Sequence, residues 1–223
     1  MNPFLLMLLL CNCFFSGLLY ADDNSSWQLK KTEKNIPVYT RKVEGSPILE
    51  FKSHAIINTP MEKAIALFED EKKIALWYFE CTSSKLLEHE NANNSVIYLV
   101  MRPPWPVAPR DFIFRRTRTD HPDGTVSFSL TALPDRLPQV KGMIRVNSIQ
   151  SVWTFKPLSK DKTELFFQQH TEPGGSIPPS LINKIETQTP VNSLESFRKI
   201  LTGKEEEDTH GQEKAKPGLN GKK

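Results

Sequence analysis

Four arginines crowd one stretch of the chain, Arg110-Asp111-Phe112-Ile113-Phe114-Arg115-Arg116-Thr117-Arg118. Read as a strand, its period of two places Phe112, Phe114, Arg116 and Arg118 on one face. The two phenylalanines want the interior, so Arg116 is drawn inward with them. A guanidinium taken out of water needs an anionic or polar partner. The same pattern argues against a nucleic-acid surface, because burial already explains the aromatic residues between the charges. The other chemistry-bearing residues are scattered. His54, His89, His121, His170 and His210 lack the spacing of a zinc site or a catalytic triad. Cys81 has no base near it in sequence and reads as a small buried apolar residue. Gly174-Gly175 reads as a turn, with no phosphate-binding loop before a helix. No motif calls for a metal or a cofactor.

The ends of the chain differ in composition from its middle. Phe4 to Tyr20 is an apolar run interrupted by Asn12, Ser16 and Gly17. It ends at Ala21, before Asp22-Asp23. Residues 1–21 therefore read as a secretory signal peptide cleaved after Ala21, which gives an exported protein, periplasmic or extracellular. The alternative is a membrane anchor formed by residues 4–20, which is short for a span. Removing residues 1–21 leaves Cys81 as the one cysteine, so no intrachain disulfide can form. Residues 203–223 hold one leucine and no aromatic residue, and read as a disordered charged tail. Between them, residues 25–202 make one domain, the size expected for 223 residues less its tails. A net charge of +3 is too small to imply a nucleic-acid partner. No later segment is apolar enough for a polytopic membrane protein.

The elements that must position these residues are mostly strands. Segments 34–41 and 48–58 are short apolar stretches divided by the turn residues Glu44-Gly45-Ser46-Pro47. A helix follows, with Thr59 as its N-cap, Pro60 at its first position and apolar spacing at Ala64, Ile65, Leu67 and Phe68. A second short helix is predicted over 74–79. Strands are predicted over 83–89, 95–101, 110–119 and 125–131, the last two joined by a turn at Asp123-Gly124. Segments 142–156 and 163–171 form a long hairpin turning at 157–162. Residues 177–201 carry an amphipathic stripe about 36 Å long, which Pro190 should kink or deprive of a hydrogen bond. Strands with helices grouped apart from them mean an α+β fold with an antiparallel sheet covered by one long helix.

Four blocks, in order and in register, resemble the START family, the steroidogenic-acute-regulatory-related lipid-transfer domains. They are Trp77 with Ser84 and Leu87-Glu88; Pro104-Trp105-Pro106 with Arg110-Asp111-Phe112-Ile113; Leu133-Pro134 and Pro138 leading into Gly142-Met143-Ile144-Arg145-Val146; and Glu172-Pro173-Gly174-Gly175-Ser176-Ile177-Pro178 with Leu181-Ile182-Asn183 and Pro190. The last block looks especially like the phosphatidylcholine-transfer branch. The resemblance implies a helix-grip fold, a curved antiparallel sheet wrapped around the C-terminal helix with a hydrophobic tunnel holding one lipid. It implies that Arg116 is a cavity arginine and that Ile97 stands near the position of the acid that pairs with it in sterol-binding members.

The function expected on this basis is non-catalytic binding, or transfer, of one lipid such as a phospholipid or sterol. The binding residues expected are Arg116, Phe112, Phe114, Tyr98, Trp105, Trp153, Phe155, Leu137, Leu181 and Ile185. Trp105 lies among Pro103, Pro104, Pro106 and Pro109, and either packs on the sheet or forms a tunnel mouth that touches a membrane. Leu137 and Val140 belong to a loop that either gates the tunnel or is plain surface. The expected partners are the lipid and, transiently, a membrane surface, with the protein a monomer. Two alternatives remain: a cyclase or aromatase-like enzyme on the same fold, for which no converging acid–base pair is visible, and a ligand-dependent interaction protein using the charged tail.

Overall fold

The computed structural model describes residues 26–203. The predicted signal peptide lies outside these residues, as does the predicted charged tail except for Gly203, the C-cap of the last helix. Ten strands form one curved sheet: β1 (Gln28–Glu33), β2 (Ile36–Val43), β3 (Ser46–Ile57), β4 (Cys81–His89), β5 (Asn94–Met101), β6 (Arg110–Asp120), β7 (Val126–Ala132), β8 (Ile144–Arg145), β9 (Ser148–Ser159) and β10 (Lys162–Glu172). Their order is β1-β2-β3-β10-β9-β7-β6-β5-β4, all antiparallel, with the short β8 pairing in parallel with the start of β6. The helices are α1 (Met61–Glu69), α2 (Ile74–Trp77) and α3 (Pro179–Thr202). This is the helix-grip architecture: a curved sheet closed around a long C-terminal helix.

Alternation along the strands builds the gripping face. Val38, Ala55, Leu165, Phe167, Trp153, Phe155, Phe128 and Phe114 point to the concave side and share one core with Phe68, Trp77, Val191, Leu194 and Phe197 from the helices. Polar contacts fix α3 at both ends of this groove. The Asn183 side chain accepts a hydrogen bond from the Leu49 amide at 2.8 Å and donates to the Pro47 carbonyl at 3.2 Å. Further along, the Ser193 hydroxyl accepts from the Phe79 amide at 3.0 Å, tying α3 to the α2–β4 junction.

Several expected boundaries move, each for a local reason. The predicted continuous strand over 142–156 is two strands, because Ile144–Arg145 peels off to pair with β6 and the Val146 amide bonds the Asp111 carbonyl. Thr59 does not cap α1. Pro60 occupies the cap, and the Thr59 hydroxyl bonds the Asn58 carbonyl instead. The predicted strand at 34–41 starts later, since Lys34 and Asn35 both have positive φ and form the two-residue turn between β1 and β2. Pro190 is accommodated inside a single continuous α3.

A tunnel with an apolar inner chamber and a polar outer one

The space between sheet and helices has two chambers that share Tyr78 and Phe112. The inner one, a narrow space of about 30 Å³, is walled by Ile97 and Leu99 of β5, Phe112, Phe114 and Arg116 of β6, Leu130 of β7, Ile149 and Trp153 of β9, Phe68 of α1 and Ile74 and Trp77 of α2. Aromatic packing stiffens it. Trp153 stacks on Phe167 with ring centroids 3.6 Å apart, and Trp77 meets Trp153 edge-on at 5.5 Å. Three of the wall residues carry hydrogen-bonding side chains, Trp77, Tyr78 and Arg116. The Trp77 indole N–H is buried without a partner. Arg116 is buried too, but its guanidinium donates to the carbonyls of Phe68 at 3.0 Å and Glu69 at 3.2 Å. Burial lowers its pKa, offset by the nearby Glu69 and Glu71.

This answers the question of the Arg116 partner. The chain places the arginine in the tunnel wall with no acid at Ile97, which is itself fully buried and apolar. The acceptors are the last carbonyls of α1, where the helix dipole is negative. Arg116 is a fastener between β6 and α1.

The outer chamber, about 50 Å³, lies between α3 and the start of β6. It is lined by apolar Met101, Pro103, Val107, Ile182 and Ile185, and by polar Glu80, Arg110, Gln169, Thr171, Glu186 and Thr189. The Tyr78 hydroxyl donates to the Gln169 side-chain carbonyl at 3.1 Å, and Glu186 is hydrogen-bonded to Gln169. Burial, with the charge of Glu80 beside it, pushes the Glu186 carboxyl up to about 7. Burial raises Glu80 as well, against the opposing pull of Arg110.

Three loops meet at the outer end of the tunnel. The Ile144 amide bonds the Pro109 carbonyl at 3.0 Å, joining loop 102–109 to loop 133–143. Gly175, at φ 74°, lies so close to Ile144 that a Cβ there would sit 2.7 Å from its side chain. Arg145 secures the middle loop. It pairs with Asp111 at 2.7 Å, both side chains buried, and donates to the carbonyls of Pro134, of Leu137 at 3.0 Å and of Pro138 at 3.2 Å.

A START domain model matches residues 16–207. The chain belongs to the START domain family. A START protein of Xanthomonas axonopodis, described as a STAR-related lipid transfer protein (fragment 25–204), superposes with a TM-score of 0.73 at 32% identity, covering 78% of this chain and 98% of that one. An uncharacterised protein of Pseudomonas aeruginosa PAO1 is 36% identical over 82% of this chain and 89% of its own length. Human phosphatidylcholine transfer protein is 24% identical over 71% of this chain and 76% of its own.

Of the expected binding residues, this START fold brings Phe112, Phe114, Arg116 and Trp153 to the inner chamber and Ile185 to the outer one. Tyr98 is a correction: Ile97 and Leu99 face the tunnel, so Tyr98 faces the opposite side, beside Asp111. Phe155 is fully buried behind the chamber against Phe68 and Phe128. Leu181 is half-buried at the first turn of α3, where Ile182 and Ile185 provide the wall. Trp105 is 93% exposed and Leu137 40% exposed, both on the mouth loops outside the chambers. Glu80, Gln169 and Glu186 were not anticipated. The available signal was Glu186 at the position between Ile182 and Thr189 on the buried stripe of α3. Among the described residues there is no cluster suited to a metal ion, and no helix long and apolar enough to cross a membrane.

Proposed function

We propose that this START protein binds one lipid or similar hydrophobic molecule in the tunnel and carries it without chemical change. The observation that carries this reading is the inner chamber, an aromatic and aliphatic wall whose one charged group, Arg116, is already engaged by backbone carbonyls. Each 100 Å² of ligand tail buried there is worth about 2.5 kcal/mol. The relatives named for lipid transfer support the reading. Exchange takes place at a membrane surface, where the mouth loops carrying Trp105, Leu137 and Val140 make a transient contact. The protein acts as a monomer, exported after cleavage behind Ala21.

The test is native mass spectrometry of the purified protein and of Ile149→Trp, which fills the inner chamber. The parent is expected to carry a copurifying lipid as a single-molecule adduct, and Ile149→Trp, still folded, to carry at least tenfold less. Equal adducts in both proteins refute the tunnel as the binding site. Recovery of a chemically altered ligand on incubation refutes a carrier role.

A further inference from the structure

The outer chamber holds more unpaired polarity than a plain apolar tunnel mouth would tolerate. Arg110 and Thr171 are both nearly fully buried, yet the Arg110 Nε–H and the Thr171 hydroxyl have no partner. One carboxylate oxygen each of Glu80 and Glu186 is likewise out of contact with water and unpartnered. All four residues line the same space. Buried polar groups left unpaired cost about 1–3 kcal/mol each, so a cluster of them marks a place where something else completes the bonding.

The local structure holds the groups in place independently of any ligand. Glu80 sits in a left-handed conformation at φ 59° between α2 and β4. The other Arg110 nitrogens donate to the Ala108 carbonyl and, at 3.4 Å, to the Gly174 carbonyl. Glu186 is held by Gln169, which is in turn held by the Tyr78 hydroxyl. Pro190, four residues beyond Glu186, has no N–H to give to the Glu186 carbonyl, so this turn of α3 is short of a donor as well.

We infer that this cluster is the subsite for the ligand's polar end, and that it takes a group which donates hydrogen bonds and carries no negative charge, a hydroxyl or an amine. The inference rests on the tunnel reading. Two carboxyl groups supply acceptors for the donor, and Thr171 and the Arg110 Nε–H serve the oxygen of a hydroxyl. Above pH 7, where Glu186 is ionised, an added anion would face both glutamates with Arg110 alone to balance them. The apolar remainder of the ligand runs past Tyr78 and Phe112 into the inner chamber. Selection at this step is by repulsion as much as by attraction.

The experiment compares, at pH 8, hexadecanol, hexadecylamine and palmitate, which share a chain length and differ in the polar end, by displacement of the neutral dye Nile red. In the parent protein, hexadecanol or hexadecylamine is expected to bind at least tenfold more tightly than palmitate. Which of the two is tighter identifies the donor as hydroxyl or amine. In Glu80→Gln/Glu186→Gln, the preference over palmitate is expected to fall by about tenfold. Thr171→Val, a near-isosteric change, is expected to weaken hexadecanol about fivefold and leave hexadecylamine unaffected. Palmitate binding as tightly as the other two in the parent overturns the inference, as does a preference that neither variant moves. Failure of Nile red to bind the parent overturns the tunnel reading and this inference with it, whereas Nile red binding with an unmoved preference overturns the inference alone.

Discussion

A guanidinium inside an apolar chamber needs acceptors, and Arg116 finds them at the C-terminal end of α1. Its role is therefore read in stability. Arg116→Leu leaves the Phe68 and Glu69 carbonyls without donors and should cost about 2–4 kcal/mol, lowering the melting temperature by roughly 5–15 °C for a domain of this size. Affinities for anionic and neutral ligands should change by the same factor. Thermal denaturation and parallel titrations check this; a selective loss of anionic ligands at an unchanged melting temperature contradicts it. Glu186 makes the stability of the fold depend on pH. Its carboxyl faces Glu80, Arg110, Tyr78 and Gln169 and is raised to about 7 in the folded chain from an ordinary value of 4.5. Between those values the unfolded chain releases a proton that the folded chain keeps, so stability falls as pH rises through that window and the deficit is constant above it. Glu186→Gln removes the deficit. Its advantage over the parent should be small near pH 4 and grow to about 3 kcal/mol by pH 8, measured by urea unfolding. An advantage independent of pH would show that Glu186 is not perturbed.

At the scale of elements, the Arg-Asp motif and the later Arg145 form one device. Asp111 lies on the outer face of β6, and Arg145 reaches it from β8 while gathering three carbonyls of loop 133–143. The loop beside the tunnel mouth is thus pinned by a single planar fork. Lysine keeps the charge but cannot reach Asp111 and three carbonyls together. Arg145→Lys should raise amide exchange in 133–141 about thirtyfold, about 2 kcal/mol of local stability, with β5 and β6 still protected. Uniform exchange across the domain would mean that the pair supports the whole sheet and not the loop. This device also shows where sequence reading stops. The alternation in 110–119, the turn at Asp123-Gly124 and the stripe on 177–201 were legible because burial imposes a period. Strand β1, QLKKTE, was not, because an exposed edge strand needs no apolar alternation and often carries charge. The split between β8 and β9 was not legible, because it depends on a parallel pairing with a strand more than thirty residues away in sequence. The outer chamber was hidden for the same reason: Glu80, Gln169 and Glu186 come from three elements, and only the closure of α3 onto the sheet brings them together.

In the whole molecule, the outer end of the tunnel carries exposed apolar side chains on proline-rich loops. Loops 102–109, 133–143 and 173–178 gather at one end of the sheet, held to each other by the Ile144–Pro109 bond and by the close approach of Gly175 to Ile144. Trp105 projects from this end, 93% exposed, with Leu137 and Val140 partly exposed on the adjoining loop. A ring of that size left in water gains by entering the boundary of a bilayer, where an indole has an apolar body to bury and an N–H to keep wet. Burying about 100 Å² of it is worth roughly 2.5 kcal/mol, partly offset by the cost of ordering the contact. Trp105→Ser should accordingly reduce binding to phosphatidylcholine vesicles about tenfold, measured by cosedimentation. The melting temperature should stay within about 2 °C of the parent, because the ring packs on nothing. Ligand affinity in solution should also be unchanged, because Trp105 lines neither chamber. The rate of transfer from vesicle to protein should fall with the vesicle affinity. Vesicle binding that is indifferent to Trp105 would place the membrane contact elsewhere on the molecule, and transfer that slows without loss of vesicle binding would make Trp105 part of the gate.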